Sequence, residues 1–240
     1  MKRRRQSKNE SMNAGRPIPD KLLPVYPLAQ VARFVGCNQG TLRAWMRGRT
    51  YVSGGEKRRA KPMFEHSSHP RAALTFLDLV EAHMLHLVRK GYGIPMRNFR
   101  AAMEYLRGIG GDTHFLAHRD FVYDKRHLYL KDDKKLISLS ERGQHVNTVV
   151  ISDGLKQLMY GEDGYADRFF PVIGGKQQKV VMINPVIGYG QPTIMRLGVS
   201  TAAIAARFDA GERLADLASD YSATSEEVEE ALRYNRVLCA

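Results

Sequence analysis

The chain has only two cysteines among its 240 residues, Cys37 and Cys239. This scarcity excludes a disulfide-stapled fold. No apolar run approaches the roughly eighteen residues of a membrane-spanning helix, and no apolar stretch follows the basic amino end as a signal peptide would require. These absences predict a protein without a membrane span that works in a reducing cytoplasm.

Signatures of catalysis and of cofactor binding are missing as well. The Gly-Gly pairs at 54, 110 and 174 lack the Lys-Ser/Thr step of a phosphate-binding loop. His83 and His86 have the spacing with which one helix presents two metal ligands, but no carboxylate–cysteine set accompanies them. We therefore expect no catalytic residue, no cofactor and no metal site. A hydrolase that uses His114, His118 and Asp120 is the remaining alternative.

Positive charge, by contrast, is plentiful and confined to one part of the chain. The formal net charge is +12, from 37 Lys and Arg against 25 Asp and Glu. Residues 1–64 hold fifteen of the basic residues but only three acids, which are Glu10, Asp20 and Glu56, whereas the charges of the remainder cancel. Such a concentrated field attracts polyanions and speeds encounters with them. We therefore expect nucleic acid to bind the first quarter of the chain.

A helix-turn-helix pattern lies inside this basic quarter. Its first helix has the apolar spacing of a single buried face, at Leu28, Val31, Ala32 and Val35. Gly36 can adopt the left-handed turn that ends this helix. Asn38 can cap a second helix, whose inward positions are Leu42 and Trp45.

Two features of this segment predict contacts with DNA. The outward face of the second helix offers side chains for base edges and phosphates, at Gln39, Thr41, Arg43, Met46 and Arg47. Two extended runs around Gly54 and Gly55 then predict a β-hairpin wing, with a basic return strand that includes Lys57, Arg58 and Arg59. We expect Arg43 and Arg47 to reach the major groove and the three wing residues to bind phosphates.

Two further helices follow the wing. A capping box at Thr75 and Asp78 opens a long helix that closes at Gly91, with an inward stripe at Leu77, Val80, Met84 and Leu87. The next helix begins at Ile94 and stops at Gly108, with Phe99, Ala102, Met103 and Leu106 inward.

This order of elements resembles the DNA-binding half of the MerR superfamily, and the segment that carries the resemblance is Tyr26–Trp45. It implies a winged helix-turn-helix domain over residues 21–111 that binds double-stranded DNA. Residues 1–20 are expected to form a flexible basic tail. The long dimerising coiled coil of that superfamily does not follow residue 108.

Residues 112–184 have the short apolar runs and polar turns of a small β-sheet. The predicted strands are 121–123, 127–130 and 136–139. Ser152 and Asp153 predict the start of a short helix that runs to Leu158. The runs 168–173 and 179–184 are expected to pair as a hairpin around residues 174–178.

Residues 185–240 predict three helices. Ile204 and Phe208 point inward from the first, the second runs from Glu212 to Asp220, and the third opens at Thr224 with a capping box. The segment resembles domain-of-unknown-function family 433, small antitoxin-like helical domains, through Pro185, Gly188, Pro192, Ala210-Gly-Glu212 and Ser225-Glu-Glu-Val228.

The last helices have the wrong charge for DNA. Residues 209–230 contain eight carboxylates and one arginine, Arg213, so phosphates would repel them and a partner-binding or dimerising role fits better. A chain of this length that combines the two resemblances is similar to the long VapB-type antitoxins. That resemblance implies a PIN-domain ribonuclease as the toxin partner. Cations that could approach its active-site carboxylates are Arg233 and Arg236, which we favour, and Lys176 and Lys179.

The sequence thus predicts an α+β protein that contains a winged helix-turn-helix, a central sheet and a carboxy-terminal helical module. We expect a homodimer, because one short reading helix covers few base pairs, with the carboxy-terminal helices as its interface. The expected function is operator binding and toxin neutralisation. The alternative is a MerR-like, ligand-responsive regulator without a toxin partner. A ribonuclease gene directly beside this one would favour the antitoxin over the regulator.

Overall fold

The computed structural model describes residues 20–64, 73–109, 113–123, 128–132, 135–139, 144–146, 156–172 and 179–239. Its helices and small antiparallel sheets confirm the α+β class. The predictions that lie outside the described residues include the tail up to residue 19, the strand start at residue 127, the helix start at Ser152 and Asp153, and the hairpin tip at 174–178 with Lys176. In the described part of the chain, no helix combines the length and apolar character of a membrane span.

The first two helices form the predicted helix-turn-helix. Helix α1 spans Leu28–Val35 and ends at Gly36, whose φ of +70° is the left-handed conformation that glycine adopts without steric cost. Helix α2 spans Gln39–Arg47, and the side chain of Asn38 accepts a hydrogen bond of 2.8 Å from the amide of Gly40. Both local signals therefore set the helix boundaries as predicted.

The wing is a two-stranded antiparallel hairpin. Strand β2 (Arg49–Ser53) pairs with strand β3 (Glu56–Ala60) across Gly54 and Gly55. These glycines have φ values of +62° and +82°, which a two-residue turn of the type that matches strand twist requires. The hairpin is solvent-exposed almost throughout, so it projects from the domain.

Helix α3 (Phe76–Tyr92) is the central element of the fold. The predicted capping box is present, since Asp78 N donates to Thr75 Oγ1 and Thr75 N donates to Asp78 Oδ2. The buried surface of α3 is wider than the predicted apolar stripe, because every residue from Thr75 to Leu85 is buried. Leu87, which was predicted to point inward, is only half-buried. The predicted stop at Gly91 is also wrong, because the helix ends at Gly93 with φ +68°. Helix α4 spans Met96–Gly108 and buries the predicted residues.

Short strands flank these helices. Strand β1 (Tyr26–Pro27) pairs with strand β4 (Ala73–Leu74), a pairing that the sequence did not indicate. The central sheet is an antiparallel meander in the order β5–β6–β7–β8, formed by Phe121–Tyr123, Leu128–Asp132, Lys135–Ser138 and Gln144–Val146. The sheet was predicted, although its fourth strand was not.

The predicted antiparallel pairing of runs 168–173 and 179–184 is confirmed at Phe169 and Ile183, whose amides each donate to the other's carbonyl, and the predicted tip at 174–178 lies outside the described residues. Strand β10 (Ala166–Phe169) pairs with β9 (Leu158–Tyr160), and β11 (Val181–Met182) pairs with β12 (Thr193–Ile194). Within the described residues, the main strand partners of the two runs are therefore β9 and β12, and the contact between the runs is a bridge. The β9–β10 connection is short and turns at Gly164 with φ +83°, so closing it costs little chain entropy. Lys156 and Gln157 form a 3-10 turn and Leu158 starts a strand, so the predicted short helix ends one residue earlier than expected.

Three helices complete the chain: α5 (Thr201–Asp209), α6 (Leu214–Asp220) and α7 (Ser225–Cys239). They surround a small apolar core of their own, which includes Ile194, Ile204, Leu217, Val228 and Ala231. The capping box of α7 is confirmed by mutual hydrogen bonds between Thr224 and Glu227. Helix α6 begins two residues later than predicted, because Arg213 is still extended.

The carboxy-terminal module contacts helix α1 through α7 and the segment before α5. Tyr234 of α7 belongs to the main apolar core, which otherwise runs from Tyr26 to Ile183. Its ring centroid lies 6.5 Å from that of Phe34 on α1. Gln30 also donates a 2.8 Å hydrogen bond to Gln191. These two contacts join the carboxy-terminal module to α1.

Candidate nucleic-acid interface

Helix α2 presents a polar face to solvent. Gln39, Arg43 and Arg47 are exposed, and Thr41 is half-buried. Met46, which was expected on this face, is only 2% exposed and lies in the core. Together with Leu42 and Trp45 it has the i, i+3, i+4 spacing of one helical face, so the buried stripe of α2 is wider than predicted.

Two contacts fix the wing relative to α2. The amide of Met63, after the return strand, donates a 2.7 Å hydrogen bond to the carbonyl of Trp45. At the start of the wing, Gly48 has φ +75°, and a Cβ there would lie 2.3 Å from the carbonyl oxygen of Ala60. Only glycine allows the chain to leave α2 so close to the returning strand.

The basic residues of the wing lie on both of its faces. Cross-strand partners share a face of a hairpin. Arg58, opposite Tyr51, therefore lies on one face, and Lys57 and Arg59 lie on the other, opposite Val52 and Thr50. All three basic residues are exposed.

A cleft of about 550 Å³ separates the wing from the helices. Its lining includes three arginines from different elements: Arg49 of β2, Arg89 of α3 and Arg100 of α4. The first turn of α2, at Gly40 and Thr41, completes the wall. Arg100 also donates a 3.0 Å hydrogen bond to the carbonyl of Lys61, which holds its guanidinium at the base of the wing.

This arrangement suits a phosphodiester backbone. Guanidinium groups form charge-assisted hydrogen bonds with phosphate oxygens, and the positive end of a helix dipole attracts the same anions. Sequence reasoning missed Arg89 and Arg100 because they lie 40 residues or more beyond α2. Their position in the last turn of α3 and on α4 gives no local signal, and only the tertiary packing brings them to the cleft.

The residues predicted to bind a protein partner lie elsewhere. Arg233 forms an ion pair with Glu230 one turn earlier on α7. Arg236 is exposed, with its guanidinium carbon 5.9 Å from the ring centroid of Phe208. Lys179 lies over the ring of Phe170 at 5.3 Å.

The acidic helices are less negative than the sequence suggests, because arginines pair with many of their carboxylates. Arg196 binds Glu227 at 2.7 Å, and its hydrogen bonds lower the pKa of that carboxyl. The other pairs are Arg207 with Glu212 and Asp220, Arg213 with Asp216, and Arg233 with Glu230. Arg196, Arg207 and Arg233 lie outside residues 209–230, so counting charges in that window alone missed them.

Comparison with known protein families identifies two regions of the chain. Residues 24–103 match a family described as “Putative DNA-binding HTH domain”. Residues 181–235 match a family described as “Protein of unknown function (DUF433)”. The first region contains α1 to α3, the wing and the first part of α4, and the second contains α5 and α6 with most of α7.

Two proteins of Mycobacterium tuberculosis (strain ATCC 25618 / H37Rv) are similar along most of the chain. “Putative antitoxin VapB45” is 27% identical over 234 residues, which cover 88% of this chain and 93% of the relative. “Uncharacterized protein Rv2308” is 28% identical over 218 residues, which cover 88% of this chain and 90% of that protein.

A crystal structure of Rv2018 from Mycobacterium tuberculosis has the same fold. It superposes with a TM-score of 0.60 at 23% identity, covering 88% of this chain and 98% of that one. The two matched families and the antitoxin relative agree with the motifs read from the sequence. The chain therefore combines a region similar to putative DNA-binding helix-turn-helix domains with a region similar to DUF433 proteins, and as a whole it resembles the long VapB-type antitoxins.

Proposed function

We propose that this protein is the antitoxin of a type II toxin–antitoxin system. It binds its operator DNA through the amino-terminal half and neutralises a PIN-domain ribonuclease. The observation that carries the DNA-binding part is the exposed face of α2 beside a wing and a cleft that are rich in arginine and lysine. The similarity to a protein named as an antitoxin supports the second part.

DNA is bound by two kinds of contact. Gln39, Arg43 and Arg47 project from α2 into the major groove, where an arginine that pairs with guanine discriminates by roughly 1–3 kcal/mol. Thr41 lies at the edge of this face and contacts the backbone. Phosphates are bound by the wing, at Lys57, Arg58 and Arg59, and in the cleft beside α2.

The toxin is bound by cations outside the DNA-binding cleft. PIN-domain ribonucleases gather carboxylates around a metal ion, and a cation placed there lowers the proton affinity of those carboxylates and competes with the metal. Arg236 is the best-placed candidate because it is exposed near the end of α7. Arg233 is also a candidate, but its ion pair with Glu230 must break before its guanidinium can bind the toxin. Lys176 and Lys179 are the other candidates.

Co-expression with the product of the adjacent gene tests the proposal. We expect the two proteins to copurify and the toxicity of the neighbour to be relieved. An Arg236→Ala variant should retain operator binding but relieve toxicity less, since the cleft is lined by residues of α2, α3, α4 and the wing and not by α7. A neighbour that neither binds the protein nor is neutralised by it would identify a stand-alone regulator of transcription.

A further inference from the structure

The structure brings together three ligand-forming side chains away from the DNA-binding cleft. Asp78 and Glu81 lie three residues apart on α3, so they leave the helix on the same face. His114 directly precedes a short 3-10 helix, Phe115–Ala117, that packs against α3. One carboxylate oxygen from each acid and one ring nitrogen of His114 all lie within 4.8 Å of one another.

This cluster is almost closed to solvent. Asp78 is 1% exposed, and the side chains of Glu81 and His114 are 0% and 16% exposed. Glu81 Oε2 lies 3.0 Å from His114 Nδ1. Two ligands bound tetrahedrally to zinc at about 2.0–2.1 Å are themselves about 3.3 Å apart. This pair therefore already has nearly the spacing of neighbouring metal ligands.

Of the two carboxylate oxygens of Asp78, one accepts hydrogen bonds and the other accepts none from the described residues. Its Oδ2 accepts hydrogen bonds from the amide and the hydroxyl of Thr75, at 2.8 and 2.9 Å. Its Oδ1 is buried and has no hydrogen-bond partner among the described residues. Burial of an oxygen without a partner costs free energy, which a bound cation would offset.

The charge of the cluster matches a divalent cation. With a neutral imidazole, the three groups Asp78, Glu81 and His114 carry two negative charges between them, both on buried carboxylates. A divalent ion brings the sum to zero. Two carboxylate oxygens with one imidazole nitrogen form a mixed donor set that suits Zn²⁺ or Mn²⁺, whereas Mg²⁺ and Ca²⁺ favour oxygen alone.

We propose that Asp78, Glu81 and His114 bind one divalent transition-metal ion. The ion would join α3 of the helix-turn-helix domain to the segment that leads into the central sheet, so its role is structural. The sequence predicted no metal because His114 and Glu81 are 33 residues apart. A search for closely spaced ligands on one helix could not pair them.

The test uses the full chain, stripped of metal with a chelator and titrated calorimetrically with Zn²⁺ and, separately, with Mn²⁺. Metal content after dialysis gives the stoichiometry. We expect one ion per chain for at least one of the two metals. The same ion should raise the melting temperature, because an ion that binds only the folded state stabilises it.

Variants assign the binding to this cluster. His114→Asn keeps a side-chain amide near Glu81 but removes the ring ligand, and we expect it to weaken binding at least tenfold. Asp78→Asn should have a similar effect. His118→Asn is the matched control, because His118 Nδ1 also lies beside a carboxylate, 3.2 Å from Asp120 Oδ2, outside the cluster. It should bind the ion like the wild type.

Equal affinity in the wild type and His114→Asn would overturn the proposal. So would a wild-type chain that binds neither ion stoichiometrically. Asp78→Asn also disrupts the capping box of α3, and if it fails to fold, the comparison of His114→Asn with His118→Asn decides alone.

Discussion

Two exposed arginines of α2 carry the proposed base recognition. Arg43 and Arg47 lie opposite the buried Leu42 and Trp45 and contribute little to the core. We expect Arg43→Ala or Arg47→Ala to weaken operator binding by about 1–3 kcal/mol and to reduce discrimination between sequences, with stability unchanged. Arg213→Ala, an exposed arginine of the carboxy-terminal module, is the control. Unchanged affinity and footprint in both α2 variants would refute their assignment.

His83 makes the stability of the protein depend on pH. It is 7% exposed, and its ring lies 4.6 Å from that of Phe169. Burial, with a smaller effect of His86, lowers the pKa of His83 to about 3. In the unfolded chain the pKa is about 6.5. Between these values only the unfolded state takes up the proton, so stability falls as the pH drops from about 6.5 towards 3.

Urea unfolding at pH 7 and pH 5 measures this contribution. Protonation of His83 in the unfolded state should cost about 2 kcal/mol at pH 5, at about 1.4 kcal/mol per pH unit. His83→Leu should lose that part of the pH dependence, whereas His86→Gln, at a half-buried position, should retain most of it. The same pH dependence in wild type and His83→Leu would show that other groups cause it.

At the scale of elements, the wing depends on one glycine. Gly48→Ala combines a left-handed φ with a Cβ placed against the Ala60 carbonyl. We expect a loss of about 2–3 kcal/mol in stability and weaker DNA binding. Gly54→Ala is the matched control, because Gly54 has a similar φ of +62° but no atom within 4 Å of an added Cβ. Equal losses in the two variants would contradict the close approach at Gly48.

The two faces of the wing lead to a prediction about salt dependence. Arg58 shares a face with Tyr51, which lines the cleft, while Lys57 and Arg59 lie on the opposite face. Neutralising a phosphate contact lowers the log–log salt slope by about 0.9 and weakens binding to all sequences about equally. We expect Arg58→Gln to show the full change and Lys57→Gln or Arg59→Gln a smaller one. A loss confined to one operator sequence would mean that the wing reads bases.

Elements that depend on neighbouring residues could be predicted from the sequence. Gly36, Asn38 and the capping box at Thr75 act within one helical turn, so their residue types indicated the helix ends correctly. Phe169 pairs with Ile183, as predicted, and also with Leu158, which was not predicted because the sequence indicated no strand there. The burial of Met46 was missed because the width of a buried face depends on what packs against it.

At the scale of the molecule, the functional surfaces combine distant segments. Arg49, Arg89 and Arg100 meet in one cleft, and His114 meets Asp78 and Glu81, only because α3 and α4 pack as they do. The sequence indicated the basic field and the reading helix, since both are local. It gave no indication of the cleft or of the three-residue cluster, which require the tertiary fold.

We expect the protein to be a homodimer, because paired half-sites need two reading helices about 34–36 Å apart. Deleting the carboxy-terminal helices would remove Tyr234 from the main core, so a surface change is the cleaner test. Ala202 and Ala206 are exposed one turn apart on α5, where a second chain can approach closely. Ala206→Glu should give a monomer by light scattering, and Ala210→Glu, in the following loop, should not. A dimer that persists in Ala206→Glu would place the interface elsewhere.

Affinity for the DNA upstream of its own gene tests the central claim most directly. The full chain is titrated by fluorescence anisotropy into that duplex and into a scrambled duplex of equal length and composition, at physiological salt. We predict that the natural duplex binds at least about a thousandfold more tightly, as specific operators do. Equal affinity for the two duplexes would contradict the account, because the α2 face would then contribute no sequence recognition.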